Sequence, residues 1–378
     1  MKIAYIAQDP YNKNSWSGTN YYLRKALEDL GHEVYCLSEL RPRESLFHIV
    51  LNYMLRIFGR SYFLGRSLYA SKKYAEYIQR NLAPDTDAIV SLGTMYVACL
   101  EVNIPIFLVV DGVFEQMRYF YKTYHSIKKG FTDANIVEQK ALEKATKVFP
   151  CSDVTANAIS KYYRILPSKI VTIPLGANLD KTPSKEYVHK RVSLRGKNRC
   201  KLLFVGVDWY RKGADIVFEA TKLLHDRGFN VELHICGLKK VPIVLPDYVH
   251  NHGFLNKNRE TDFKELEELY YDSHFLFVPS RAEAYGLVFC EAGAYGLPSI
   301  SHSEGGLLTT IKDDVNGHLF SIGTKPEVFA DYIYRTFSNY DKYLALCRSS
   351  RGRYDDALNW SVAGKKYECE IQKAINNA

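Results

Sequence analysis

Hydrophobic and polar positions alternate along this chain in two repeating series. Short apolar runs of strand length at residues 3–7, 33–37, 88–92, 106–110 and 147–150 are separated by longer stretches with helical spacing, and a further run at 170–173 leads into Pro174. The first of the helical stretches, near 21–30, is closed by Gly31. After a polar, basic interval at 181–199 the series restarts. Strands are predicted at 201–205, 230–236, 274–278 and 298–301, with helices at 214–227, 261–271 and 288–295 between or after them. A final helix begins at Trp360 and runs to about residue 374. Strands that alternate with crossover helices make parallel sheets, so the class is α/β. Two successive sheets of similar size predict two Rossmann-like domains facing across a cleft, with ligands at the carboxyl ends of the strands. The expected division is 1–180 for the first domain, 181–199 for a linker, 200–360 for the second domain, and 361–378 for a C-terminal helix.

Composition narrows the function classes. With 378 residues, 47% hydrophobic and 24% charged, the chain is long enough for two cores and too apolar for disorder. No apolar run approaches the roughly eighteen residues of a membrane span. Residues 2–7 already read as strand, with no cleavage site, so no signal peptide is expected. The eight cysteines include no closely spaced pair, which argues against a zinc or redox motif and for free thiols in a cytoplasmic protein.

The net charge of +8 concentrates in residues 41–82, where eight basic residues, Arg41, Arg43, Arg56, Arg60, Arg66, Lys72, Lys73 and Arg80, face two acidic ones, Glu44 and Glu76. Aromatic side chains interleave with them. The stretch either meets anionic membrane or a phosphorylated acceptor, or forms solvated helices with a buried aromatic stripe. Nucleic-acid binding has no motif behind it.

Three strand–loop–helix junctions in the second half carry candidate chemistry. The first reads Ser280-Arg281-Ala282-Glu283-Ala284-Tyr285-Gly286-Leu287 and opens a helix that contains Glu291. A helix N-terminus beside a glycine is a seat for an anion, and the two carboxylates bracket it. Alternatively, Glu283 caps the helix and Glu291 is a solvated surface residue. The second is Gly206-Val207-Asp208-Trp209-Tyr210-Arg211-Lys212-Gly213, where two cations at a strand's end either neutralise a diphosphate or are simply solvated. The third is Ser303-Glu304-Gly305-Gly306, where backbone can approach a ligand closely. In the first half, Ser15-Trp16-Ser17-Gly18 is not Gly-x-Gly-x-x-Gly, which removes the main support for a nicotinamide or flavin cofactor. Asp85-Thr86-Asp87 has the look of a metal motif but lies at a strand's amino end, away from where such folds bind ligands.

The Glu283-x7-Glu291 segment, the Arg211-Lys212-Gly213 turn, Gly305-Gly306 followed by Asp313-Asp314-Val315-Asn316-Gly317, and Pro174-Leu175-Gly176-Ala177-Asn178 together resemble glycosyltransferase family 4. That resemblance implies a retaining, metal-independent enzyme of GT-B fold without a cofactor, using a UDP- or GDP-linked sugar. It would move a hexose to a glycan, lipid-linked or cell-envelope acceptor, with 1–180 as the acceptor-side domain, 200–360 as the nucleotide-sugar-binding domain and the 361–378 helix packing back toward the first. It further implies that Glu291 holds the donor ribose and that Glu283 and the amides of Tyr285, Gly286 and Leu287 hold the sugar and phosphate. Arg211 and Lys212 would stabilise the leaving diphosphate, while Gly18 and Gly206 belong to the donor-side loops. Two positions depart from the family pattern. Gly206-Val207 stands where many members have Gly-Arg, and Asp111 stands where many carry a histidine. Asp111 either orients a sugar hydroxyl or assists the acceptor, or it caps the next segment. A nucleotide-sugar epimerase and a non-catalytic nucleotide-sugar-binding subunit are the alternative readings.

Overall fold

The computed structural model describes residues 1–40, 46–58, 60, 62–120 and 128–377, with the side chains of residues 46–49, 56, 119 and 120 left aside. The chain forms two compact units, Met1–Pro174 with Ala363–Ala378, and Leu175–Val362.

The first unit holds five strands, β1 (Lys2–Ile6), β2 (Glu33–Leu37), β3 (Ala88–Ser91), β4 (Ile106–Val110) and β5 (Lys147–Pro150). They lie in the order β2-β1-β3-β4-β5 with every pairing parallel. β1, β3 and β4 are buried almost throughout, as strands covered on both faces must be, which is why they read as unbroken apolar runs. The expected strand at 170–173 contributes only a single bridge, Val148 to Ile170. Pro174 ends the run and removes a donor that a longer ladder needs. Within this unit the last helix packs Gly364 against Ala26, where a Cβ would lie 3.2 Å from the Ala26 carbonyl oxygen, and stacks Tyr367 edge-on to Phe149 at 5.3 Å. The tempting Asp85 and Asp87 carboxylates are occupied by Lys2, at 3.0 Å by its ammonium and 2.7 Å by its backbone amide. His32 lies with Nε2 3.1 Å from a Glu368 carboxylate oxygen, and His125 lies outside the described residues.

The second unit has six strands, β6 (Cys200–Val205), β7 (Val231–Cys236), β8 (Val249–Gly253), β9 (Phe275–Phe277), β10 (Ser299–His302) and β11 (Gly317–Phe320), in the order β11-β10-β9-β6-β7-β8. All pairings are again parallel. The order reverses direction at β6, which pairs with β9 on one side and β7 on the other. A crevice for ligands is expected at the carboxyl ends of β6 and β9, the switch point of the sheet.

The interval 181–199, expected as a linker, is part of this unit. Lys185–Ser193 is a helix, capped by the Ser184 hydroxyl accepting from the Tyr187 amide at 3.2 Å, with Val188 and Val192 buried. Arg195 is buried as well. Its guanidinium donates to the carbonyls of Tyr270, Tyr271, Tyr295 and Gly296, closing the ends of the helices Glu260–Asp272 and Leu287–Ala294. The last carbonyls of a helix have no partner within it, and a planar five-donor fork serves several at once. Among the described residues, no helix is long and apolar enough to cross a membrane.

Candidate functional site

The loops that follow β6 and β9 are built against each other. The Arg281 amide donates to the Arg211 carbonyl at 2.7 Å, and the Arg281 guanidinium grips Asp215 through two bonds of 2.8 and 2.7 Å. Gly213 sits at the closest approach, with φ +74°, and a Cβ there would lie 2.3 Å from the Pro279 carbonyl oxygen. Only glycine satisfies both demands.

This scaffold brings three of the sequence-predicted residues together. Lys212 forms an ion pair with Glu283, and Arg211 stands 3.9 Å from the same carboxylate oxygen while donating to the Ala282 carbonyl at 3.2 Å. Ser280 donates to that oxygen at 3.3 Å. The Lys212 and Glu283 side chains are each 12% exposed, so the pair is largely withdrawn from water. Glu283 is therefore a partner of cations from the neighbouring loop, and its side chain does not act as a helix cap. Gly286, with φ +91°, takes that N-terminal position for Leu287–Ala294 without a side-chain bond. The first amides of this helix lack earlier carbonyls within it, and the Lys212–Glu283 pair lies on the loop that leads into it, Glu283 standing three residues before Gly286.

Glu291 lies apart from this cluster. Its side chain is buried, with Oε1 on the ammonium of Lys257 and Oε2 accepting from Tyr270 at 3.4 Å. The solvated-surface alternative for Glu291 is thus excluded. Lys257 also donates to the Asn178 carbonyl at 3.3 Å, and the Asn178 side chain accepts from the Trp360 indole at 2.8 Å. Tyr285 donates its hydroxyl to the Leu175 carbonyl at 2.8 Å, so the Leu175–Asn178 segment is held from both ends of the 285–291 region. Gly206 continues β6, its amide bonded to the Cys236 carbonyl at 2.9 Å, and a Cβ there would meet the Lys212 stem at 3.0 Å. In the third loop, burial pushes the Glu304 carboxyl up, offset in part by the Gly305 amide. His302 is buried against the Ser280 carbonyl, at 3.3 Å, in a structural role.

The remaining predicted residues lie in the first unit. Gly18 precedes the helix Thr19–Glu28 with φ +92°. Asp111 follows β4 and stands close to Trp16 of the Gly18 loop. Burial raises the Asp111 pKa to about 6, against the opposing pull of backbone amides, Arg66 and Trp16. The Asp111 carbonyl accepts from Thr155 at 2.9 Å. Arg66, expected to face outward in the basic stretch, instead reaches the buried Glu138 at 3.5 Å and covers the Phe114 ring at 5.5 Å. Sequence reasoning missed Lys257 and the inward turn of Arg66. Both are lone cations in polar or basic company, with no spacing that marks them.

Two family models match the chain. Glycosyltransferase Family 4 covers residues 19–181, and Glycosyl transferases group 1 covers residues 187–353, which include both loops and the 287–294 helix. A D-inositol 3-phosphate glycosyltransferase of Geodermatophilus obscurus is 26% identical over 263 residues, 64% of this chain and 58% of that protein. An uncharacterized glycosyltransferase of Methanocaldococcus jannaschii is 31% identical over 168 residues, 44% of this chain and 43% of that one. The chain thus spans about half the length of the curated relatives it matches. Among solved structures, sucrose-phosphate synthase from Thermosynechococcus elongatus aligns with a TM-score of 0.70 at 18% identity, covering 100% of both chains. WaaG, a glycosyltransferase involved in lipopolysaccharide biosynthesis, aligns at 0.65 and 16%, covering 97% of this chain and 99% of its own. Anabaena HepE in complex with UDP-glucose aligns at 0.64 and 14%, covering 100% of both. At these identities the likeness is one of fold. The chain thus carries a Glycosyltransferase Family 4 region followed by a Glycosyl transferases group 1 region, on the fold that these GT-B glycosyltransferases share.

Proposed function

We propose that this protein is a retaining glycosyltransferase that moves a hexose from a nucleoside-diphosphate sugar to a glycan, lipid-linked or cell-envelope acceptor. The observation that carries the reading is the convergence of Lys212 and Arg211 on Glu283 beside the N-terminus of Leu287–Ala294, at the switch point of the second sheet. A departing diphosphate develops negative charge, and preorganised cations and amides at that point lower the barrier. The cations are already held in place by a carboxylate. An arriving diphosphate takes over Lys212 and leaves Glu283 to accept from hydroxyls of the donor sugar. Glu291 holds the donor ribose, with Lys257 fixing its carboxylate. The bound UDP-glucose of the HepE structure supports a donor of this class.

The chemistry is metal-independent in this reading, because Arg211, Lys212 and the helix amides supply the countercharge. Transfer occurs on the face the diphosphate leaves, and a phosphate oxygen accepts the proton of the acceptor hydroxyl. No side chain is assigned as a general base. Asp111 orients the acceptor hydroxyl on the first unit. The lipid-linked or envelope acceptor is met at the cytoplasmic face of an anionic membrane through the 41–82 stretch.

Incubating the protein with UDP- or GDP-hexose and a lipid extract, then reading the anomeric protons of the product by NMR, tests this. A product of the donor's anomeric configuration is expected. An inverted product overturns the retaining mechanism, and interconversion of the donor with no acceptor present marks an epimerase instead.

A further inference from the structure

The structure divides the basic, aromatic stretch 41–82 into two parts with different roles. Its second part turns inward. Tyr62 is buried and donates to Asp133 at 2.5 Å, Phe63 packs edge-on against Phe114 and Phe131 at 5.7 and 5.9 Å, and Arg66 is engaged by Glu138. Lys73 pairs with Glu76 at 2.8 Å.

The first part behaves in the opposite way. The helix Leu46–Ile57 is tied to the unit on one side, where Leu51, Asn52 and Leu55 are half-buried and the Asn52 side chain accepts from the Tyr62 amide at 2.8 Å. On the other side Val50, Tyr53, Met54 and Ile57, at i, i+3, i+4 and i+7, form one outward apolar face that Phe58 extends. Tyr53 is 70% exposed, Ile57 67% and Phe58 75%. Large side chains gathered on one face in this way mark an interaction surface, whereas scattered ones do not. The charge of this part of the chain has one sign: between Glu44 and the buried Tyr62 the charged residues are Arg56 and Arg60. Arg60, just past the helix, is exposed.

We propose that the Val50–Tyr53–Met54–Ile57–Phe58 face seats in the interfacial layer of an anionic lipid bilayer, with the helix lying in the membrane plane. An apolar face on a segment whose charged residues are the cations Arg56 and Arg60 matches acyl chains beneath negatively charged headgroups. A second copy of the same face fits poorly, because pairing would bring two positive flanks together. The proposal deepens the acceptor reading above by naming the surface that meets the membrane. It restricts that contact to the outward helix and assigns residues 62–82 to the fold.

The test is co-sedimentation of the full chain with phosphatidylcholine vesicles, with and without phosphatidylglycerol. The triple variant Tyr53→Ser/Ile57→Ser/Phe58→Ser is compared with wild type, and Phe58→Ser alone serves as a milder change at an exposed position. Wild type is expected to pellet with phosphatidylglycerol vesicles, less so as salt rises. The triple variant should bind about ten-fold more weakly, as expected when an interfacial apolar face is lost, and Phe58→Ser should fall between them. Thermal stabilisation by UDP, measured in parallel, should be the same in all three proteins, so loss of the donor reading and loss of this one are separable. Equal vesicle binding by wild type and triple variant overturns the proposal, as does wild type that never pellets. A wild-type dimer that the triple variant converts to monomer overturns it in favour of a second copy.

Discussion

The ammonium of Lys257 and the carboxylate of Glu291, 34 residues apart in sequence, form an ion pair inside the second unit, and the same ammonium bonds the Asn178 carbonyl. Glu291 is therefore held in one orientation by a residue from the loop after β8. Replacing Lys257 by Met should weaken nucleotide binding by about ten-fold, the order expected for losing one charge-assisted hydrogen bond. Isothermal titration with UDP and GDP checks it, with Lys257→Arg recovering part of the affinity.

The Lys212–Glu283 pair predicts an asymmetry in stability. Lys212→Met leaves a carboxylate buried without its main partner and should cost about 3–5 kcal/mol. Adding Glu283→Met removes the stranded charge and should restore much of the loss, although nucleotide binding stays impaired. Urea unfolding of the two variants and the double variant measures both terms.

Gly213→Ala tests the seam between the two loops. The substitution forces a Cβ toward the Pro279 carbonyl at 2.3 Å and a left-handed backbone onto alanine. A penalty of about 1 kcal/mol for the backbone alone, with more for the clash, should lower the melting temperature. Displacing Arg211 and Lys212 from Glu283 should reduce nucleotide affinity at the same time.

Asp111 makes stability depend on pH. Burial raises its pKa from 3.8 to about 6, so the folded chain binds this proton more tightly than the unfolded one. The associated stability is fully present below 3.8 and is lost as pH rises through about 6. Asp111→Asn lacks this loss. The stability difference between variant and wild type should thus grow in the variant's favour between pH 4 and pH 7, by up to roughly 3 kcal/mol. Thermal melts of both proteins across that range measure it.

Much of the fold is legible in the sequence because parallel strands buried on both faces leave apolar runs. β8 is not, since Val249-His250-Asn251-His252-Gly253 forms an edge strand whose polar positions break the pattern. The helix Lys185–Ser193 is hidden for a related reason: only two of its side chains, Val188 and Val192, are buried, and its basic neighbours suggest solvent. Arg195 shows how that inference fails, because its charge is spent on buried helix-end carbonyls. In the site, Arg211, Lys212 and Glu283 are legible because each lies in the short loop that joins a strand to the next helix. Lys257 and Arg66 are brought in by tertiary packing alone.

The central claim is that the second unit binds a nucleoside-diphosphate sugar through the residues around Glu283 and Glu291. A thermal-shift panel of UDP, GDP, ADP and their hexose conjugates on wild type and Glu291→Ala tests it most directly. At a hundred times its dissociation constant, the right nucleotide should add about 2.7 kcal/mol of stability to wild type and little to Glu291→Ala. No stabilisation of folded wild type by any of them, or equal stabilisation of both proteins, would contradict the account.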